Sequence, residues 1–184
     1  MSLILLALTI LICSIPFGLF WTGILNDQDP REQGSGNIGT SNVWRNNGST
    51  TGILTLIGDL GKGFLCVWLA RDCGITTQQL IAVAAVLTHC YSIYLDFSGG
   101  KGVATAGGVI LANCVTHFSI LLTVWLIALQ VSKRHGLASL ATAIAVIPTT
   151  LLLVPENTWT YAIICTIVVW RHKKNIDDAM QRFG

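Results

Sequence analysis

Six runs of apolar residues, at about 2–25, 53–70, 79–95, 103–131, 137–154 and 158–170, occupy most of this 184-residue chain. A helix needs about 20 such residues to cross the hydrocarbon core of a bilayer. Inside that core each backbone N–H and C=O must find a partner within its own segment or barrel, so runs of this length fold as helices. Charged residues make up 11% of the chain, where soluble domains carry about 25%. The pattern predicts an all-α integral membrane protein. The 103–131 run is too long for one untilted span and holds Asn113, Thr116 and His117 near its middle. It divides into two shorter helices, which makes a bundle of about seven transmembrane helices, with five or six as the alternatives. With no repeat or low-complexity segment, residues 1–184 form a single domain on this reading.

No Lys or Arg precedes Arg31, so the first run lacks the positive flank of a signal peptide and exceeds the usual length of its apolar region. It is read as an uncleaved helix with its N-terminus outside. Alternation through seven helices then puts Arg31, Arg45, Lys101, Lys133, Arg134, Arg171, Lys173, Lys174 and Arg182 on the cytoplasmic side, nine of the eleven cations. That bias follows the positive-inside rule and leaves the C-terminus cytoplasmic. Net charge is +2, with no basic stripe interleaved with aromatics, so nucleic acid is not an expected partner. The six cysteines have neither C-x-x-C nor metal-ligand spacing and read as small apolar side chains. No metal or cofactor is expected.

Two polar, glycine-rich stretches break the apolar pattern. The first runs from Gly34 to Arg45 and holds Gly34, Ser35, Gly36, Asn37, Gly39, Ser41, Asn42 and Arg45. The second holds Gly99, Gly100, Lys101, Gly102 and Thr105, with Gly107 and Gly108 following. Glycine amides can converge on an anion without Cβ obstruction, and a helix N-terminus attracts negative charge. Both stretches share the cytoplasmic side with His172, so they are candidate phosphate sites. Gly34-x-Gly36-x-x-Gly39 matches a dinucleotide fingerprint in spacing, but it follows a membrane helix and not a strand. Gly100-Lys101-Gly102 lacks the earlier glycine and the Ser or Thr of a Walker A loop.

Asp59 and Lys62 stand three apart and share a helix face, as a structural or a catalytic pair. His172 and Asp177 form an H-x-x-x-x-D pattern, but five residues turn a helix roughly 140° past a full turn, so the two diverge. His172 and Asn175, three apart, make the better pair. His89 reads as a core or supporting residue, and His117 and His135 as interfacial or loop residues. Trp21, Trp44, Trp159 and Trp170 fall near run ends, as interface aromatics do.

The stretch Gly34-Ser35-Gly36-Asn37-Ile38-Gly39-Thr40-Ser41-Asn42-Val43-Trp44-Arg45 closely resembles the first signature of the bacterial acyl-phosphate:glycerol-3-phosphate acyltransferases, the PlsY family. Gly99-Gly100-Lys101-Gly102-Val103-Ala104-Thr105-Ala106 resembles the second and Arg171-His172-x-x-Asn175-Ile176 the third. Asp59-x-x-Lys62-Gly63 and Ser139-Leu140 also fall where that family has similar residues. The matches run in order from 34 to 176. Departures are conservative at Thr40-Ser41 (commonly Ala-Thr), while Thr88 replaces a usual glycine and Ser92 a frequent proline. The resemblance implies a bacterial inner-membrane enzyme, its site facing the cytoplasm, that acylates the 1-hydroxyl of glycerol 3-phosphate from acyl phosphate. It assigns Ser35, Arg45, Lys101 and Ser139 to phosphate recognition, and His172 and Asn175 to the acceptor or the acyl carbonyl. The base is then His172 or, by preference, a substrate phosphate oxygen. Membrane lipid is the expected surroundings, and no obligate protein partner is implied. A transporter, the main alternative, would place polar residues near the bilayer midplane.

Overall fold

A computed structural model describes residues 2–25 and 28–183. Its elements, among the described residues, are helical: α1 Ser2–Ser14, α2 Phe17–Leu25, α3 Thr40–Asn47, α4 Ser49–Ala70, α5 Ile75–Cys90, α6 Val103–Asn113, α7 Val115–Ser132, α8 His135–Leu153, α9 Thr158–Arg171 and α10 Lys173–Phe183. Two 3₁₀ turns, Ile93–Leu95 and Pro155–Asn157, extend α5 and precede α9. The chain divides into two compact units, Met1–Asn113 and Cys114–Gly184. Arg182, counted above among the cytoplasmic cations, has its side chain outside those described.

Four helical segments are long and apolar enough to cross a membrane: Ser49–Ala70, Ile75–Leu95, Val115–Ser132 and His135–Leu153. The pair α1–α2 makes a fifth if it is one bent span. The apolar helices stand where seven were expected, but four to five of them meet the length a span requires. Helix α6 has 11 residues, about 16 Å at 1.5 Å per residue, well short of a hydrocarbon core about 30 Å thick.

In the first unit, the first apolar run is not one helix. It bends by 43° between α1 and α2. Pro16 lacks an N–H and its ring disfavours helical backbone at Ile15, so the ladder stops there. The Ile15 carbonyl, at the break, accepts the Phe17 N–H at 3.2 Å and the Lys62 ammonium at 2.7 Å. Ser92 donates to the Ser14 carbonyl at 2.6 Å and fixes the far end of α5 to the end of α1. Helices α4 and α6 cross closely on glycine. A Cβ on Gly63 would run into the Thr105 carbonyl, and one on Gly108 into the Leu60 carbonyl. Small residues let membrane helices approach in this way.

In the second unit, the expected division of the 103–131 run falls between Asn113 and Val115. Cys114 is extended, with φ −157°, and its sulfur accepts the His117 N–H at 3.5 Å. Helices α7 and α8 pack side by side, as do α8 and α9. The chain leaves α7 through Lys133 in a left-handed conformation, φ 55°. His172 stands at the C-terminus of α9, where the chain turns into the polar α10.

Candidate active site

The first glycine stretch is organised around Asn42, which is buried on α3. Its amide donates to the Pro30 and Gln33 carbonyls at 2.9 and 3.1 Å. Its carbonyl oxygen accepts from the Ser35 N–H and the Asn46 amide, both at 2.9 Å. Asn37 accepts the Gly39 N–H at 2.9 Å and turns the chain into α3. Both asparagines, read from sequence as holding a phosphate or shaping the loop, are engaged in shaping it. Gly34 and Gly36 take left-handed φ values of +56° and +70°, which favour glycine because other residues are strained there. Ser35 and Arg45 are exposed and Ser41 is half-buried. Nearby, Arg31 grips Asp29 at 2.6 Å, and that hydrogen bond holds the carboxyl below the usual carboxylate range.

The second stretch is pinned to the end of α5. Gly99 N–H donates to the Cys90 carbonyl at 3.0 Å and Gly100 N–H to the His89 carbonyl at 3.2 Å. These two amides bind the protein's own backbone, so the anion cradle expected of them is not what they form. Their lack of a Cβ has another cause: one on Gly99 would meet the His89 carbonyl, and one on Gly100 the edge of the His89 ring at Nε2. Gly102 is left-handed at +83° and admits the chain to α6. Asp96 and Phe97, just before the loop, are also left-handed at φ 47° and 61°, a conformation that strains a bulky residue. Lys101 is half-buried. Thr105, in the first turn of α6, is fully buried, and its hydroxyl finds no hydrogen-bond partner among the described residues.

A buried charge cluster joins the two stretches. Asp59 Oδ1 lies 2.8 Å from Lys62 Nζ and 3.5 Å from His89 Nδ1, all three side chains at most 5% exposed. Lys62 also sits 5.6 Å above the Phe17 ring, and a Cβ on Gly58 would strike that ring. Gly18, next along, is closed in by the Ile38 carbonyl of the first loop. Contacts thus run from Ile38 through Phe17, Lys62, Asp59 and His89 to Gly100. Of this set the spacing of Asp59 and Lys62 was legible, and His89 was read as a core or supporting residue without its partners being identified. Thr40 was passed over as well. Its buried hydroxyl, at the start of α3, has no hydrogen-bond partner among the described residues, and a Thr directly after Gly39 was its one signal.

In the second unit His172 is 2% exposed. Its Nδ1 lies 2.8 Å from the Val168 carbonyl. A carbonyl only accepts, so Nδ1 carries the proton and, in the neutral ring, Nε2 is the basic nitrogen. Asn175 packs on the first turn of α8, 2.5 Å from where a Cβ on Gly136 would stand. Ser139 donates to the His135 carbonyl at 2.9 Å and accepts from Trp125 Nε1 at 3.2 Å. Asp177 is exposed while His172 is buried, so the H-x-x-x-x-D pattern does not form a pair. Among the described residues no cluster of three or more His, Cys, Asp or Glu has the geometry to hold a metal.

These features define a class: a multi-pass helical membrane protein with two glycine loops backed by a buried ion pair and a tautomerically fixed histidine at a helix end. The model of the glycerol-3-phosphate acyltransferase family matches residues 3–182. The chain is 36% identical over 173 residues to a glycerol-3-phosphate acyltransferase of Pseudomonas paraeruginosa, covering 93% of this chain and 92% of the relative. It is 38% identical over 178 residues to that of Syntrophomonas wolfei, covering 94% and 90%. The fold superposes with a TM-score of 0.93 on the crystal structure of PlsY, an integral membrane glycerol 3-phosphate acyltransferase, in its glycerol 3-phosphate form. Identity there is 29%, over 98% of this chain and 92% of that one. The lysophosphatidic acid form gives 0.88 at 28% identity. The chain belongs to the glycerol-3-phosphate acyltransferase family.

Proposed function

We propose that this protein transfers a fatty acyl group from acyl phosphate to the 1-hydroxyl of glycerol 3-phosphate, releasing 1-acyl-glycerol 3-phosphate and inorganic phosphate. The observation that carries this reading is the Lys101 loop, tied at Gly99 and Gly100 to α5 and backed by a buried His89–Asp59–Lys62 cluster. Such backing fixes a cation for a phosphate. Membership of the family and solved relatives in glycerol 3-phosphate and lysophosphatidic acid forms support the acceptor and the product.

Acyl phosphate is an activated mixed anhydride, so no acyl-enzyme is required. The glycerol hydroxyl attacks the acyl carbonyl, the carbon–oxygen bond to phosphate breaks, and the hydroxyl proton leaves on phosphate. Lys101 and the exposed Arg45 oppose the repulsion between two anionic substrates, Arg45 through two parallel N–H bonds. Ser35 contributes a polar contact to phosphate, and Ser139 does so when its hydroxyl turns from the His135 carbonyl. His172, with its proton held at Nδ1, presents Nε2 as acceptor, and Asn175 donates to the developing oxyanion. A donor so placed is worth roughly 3–4 kcal/mol. A substrate phosphate oxygen is the preferred base, and no metal takes part. Both units act as one catalytic domain over residues 1–184.

The proposed topology is seven passages with the N-terminus outside and the site facing the cytoplasm of a bacterial inner membrane. The short α6 must cross for Lys101 and the Lys133–Arg134 pair to share a side, as the positive-inside bias requires. Local bilayer thinning accommodates such a helix.

The test is product formation by the purified protein from long-chain acyl phosphate and labelled glycerol 3-phosphate, with acyl-CoA as the control donor. Lysophosphatidate from acyl phosphate alone is expected. Turnover with acyl-CoA only would overturn the donor assignment. Lys101→Ala should lower kcat/KM at least tenfold, about 1.4 kcal/mol.

A further inference from the structure

We propose that His89 is a positioning residue for Lys101, held in register by Asp59 and Lys62. This rests on the phosphate role of Lys101 proposed above. His89 touches the lysine loop twice. Its carbonyl accepts the Gly100 N–H at 3.2 Å, and its ring edge at Nε2 fills the space that a Gly100 Cβ would occupy. On its other side Nδ1 faces Asp59 Oδ1 at 3.5 Å.

Asp59 is itself anchored. Lys62 meets it at 2.8 Å, and Lys62 is held from behind by the Ile15 carbonyl at 2.7 Å. That carbonyl lies at the break Pro16 makes between α1 and α2, where it also accepts the Phe17 N–H at 3.2 Å. The ring thus sits between a carboxylate paired with Lys62 and a glycine that has no side chain to yield. Lys101 follows Gly100 directly, so a shift of the ring edge moves the backbone that carries the ammonium. A displacement of about 1 Å far from the reacting atoms can cost roughly a hundredfold in rate. The structure therefore assigns Gly100 a reason to be glycine that is separate from anion binding.

The experiment uses the full-length chain and compares His89→Asn with His89→Gln. Asparagine places an amide where Nδ1 stands and keeps the Asp59 contact, but it removes the edge facing Gly100. Glutamine reaches to the position of Nε2. His89→Asn should lose about tenfold or more in kcat/KM, chiefly through a raised KM for a phosphate substrate, and His89→Gln should recover at least part of it. Combining His89→Asn with Lys101→Ala should cost no more than about twofold beyond Lys101→Ala alone. Wild-type kinetics for His89→Asn, or losses that multiply in the double variant, overturn the proposal. So does glutamine performing worse than asparagine, which would mark His89 as a partner of Asp59 and nothing more. Wild-type activity in Lys101→Ala alone would instead strike the phosphate role on which the proposal depends.

Discussion

The two units differ in how far their side-chain hydrogen bonds reach. In Cys114–Gly184 most stay within one helix, with His117 to Thr149, Cys165 to Ala143 and Trp125 to Ser139, at 32, 22 and 14 residues apart, linking helices. In the unit Cys114–Gly184 the hydroxyls of Ser139, Thr142, Thr149, Thr150 and Thr166 each donate to the carbonyl four residues back. His172 does the same through Nδ1 to Val168. In the unit Met1–Asn113 some threonines behave likewise, but the groups that shape the loops reach far along the chain. Lys62 bonds to a carbonyl 47 residues away, Ser92 to one 78 away, and Asn42 to one 12 away. Local bonds fold with their helix and fail singly. Distant ones hold segments against one another and should fail together.

The sharpest way to break this comparison is to remove Asp59. Asp59→Ala leaves Lys62 and His89 buried without their carboxylate. Loss of one partner from a buried pair costs about 3–5 kcal/mol. The expected result is a large fall in thermal unfolding temperature of the detergent-purified protein, or failure to recover it folded. Adding Lys62→Met to an apolar replacement of Asp59 should regain much of that stability, since buried pairs are often replaceable as a unit. If Asp59→Ala unfolds as the wild type does, the cluster is not the long-range tie described.

A smaller effect is expected at Asn42. Asn42→Ala leaves the Pro30 and Gln33 carbonyls and the Ser35 N–H without their partner at once. Each unsatisfied buried group costs about 1–3 kcal/mol, less where water reaches the exposed Ser35 side of the loop. The loop should open to limited proteolysis between Pro30 and Thr40 while α4 and α5 stay protected. Activity should fall through the loop's shape. An unchanged cleavage pattern with lost activity would favour a direct ligand role for Asn42 instead.

This contrast also explains what could be read from the chain beforehand. Apolar runs located the membrane helices, and Asn113 marked the break between α6 and α7, because burial and local capping are sequence-local. Proline chemistry at Pro16 was equally local, but hydropathy alone joined 2–25 into one helix and hid the 43° bend. Asp59 and Lys62 were visible as an i, i+3 pair. Neither the Ile15 carbonyl behind Lys62 nor His89 beside Asp59 could be, since no spacing rule links positions 47 and 30 residues apart. The glycines at 99 and 100 were noticed for the right residue type and the wrong reason: close approach to His89 explains them, where an anion cradle was expected.

The smallest predicted effect tests the other half of the comparison. Thr142 on α8 donates to the Ala138 carbonyl at 2.8 Å, a bond within its own helix. That carbonyl belongs to the helix ladder already, so Thr142→Val removes a second, supplementary donor and leaves no backbone group bare. Valine matches threonine in shape, and apolar surroundings favour its methyl over a hydroxyl. The change in stability should stay within about 0.5 kcal/mol, the range of substitutions away from special features. It should add to the change from Thr166→Val on α9, as independent sites do. Strong non-additivity between these two would show that the second unit is tied together as the first is, and the distinction drawn between local and distant polar bonds would lose its force.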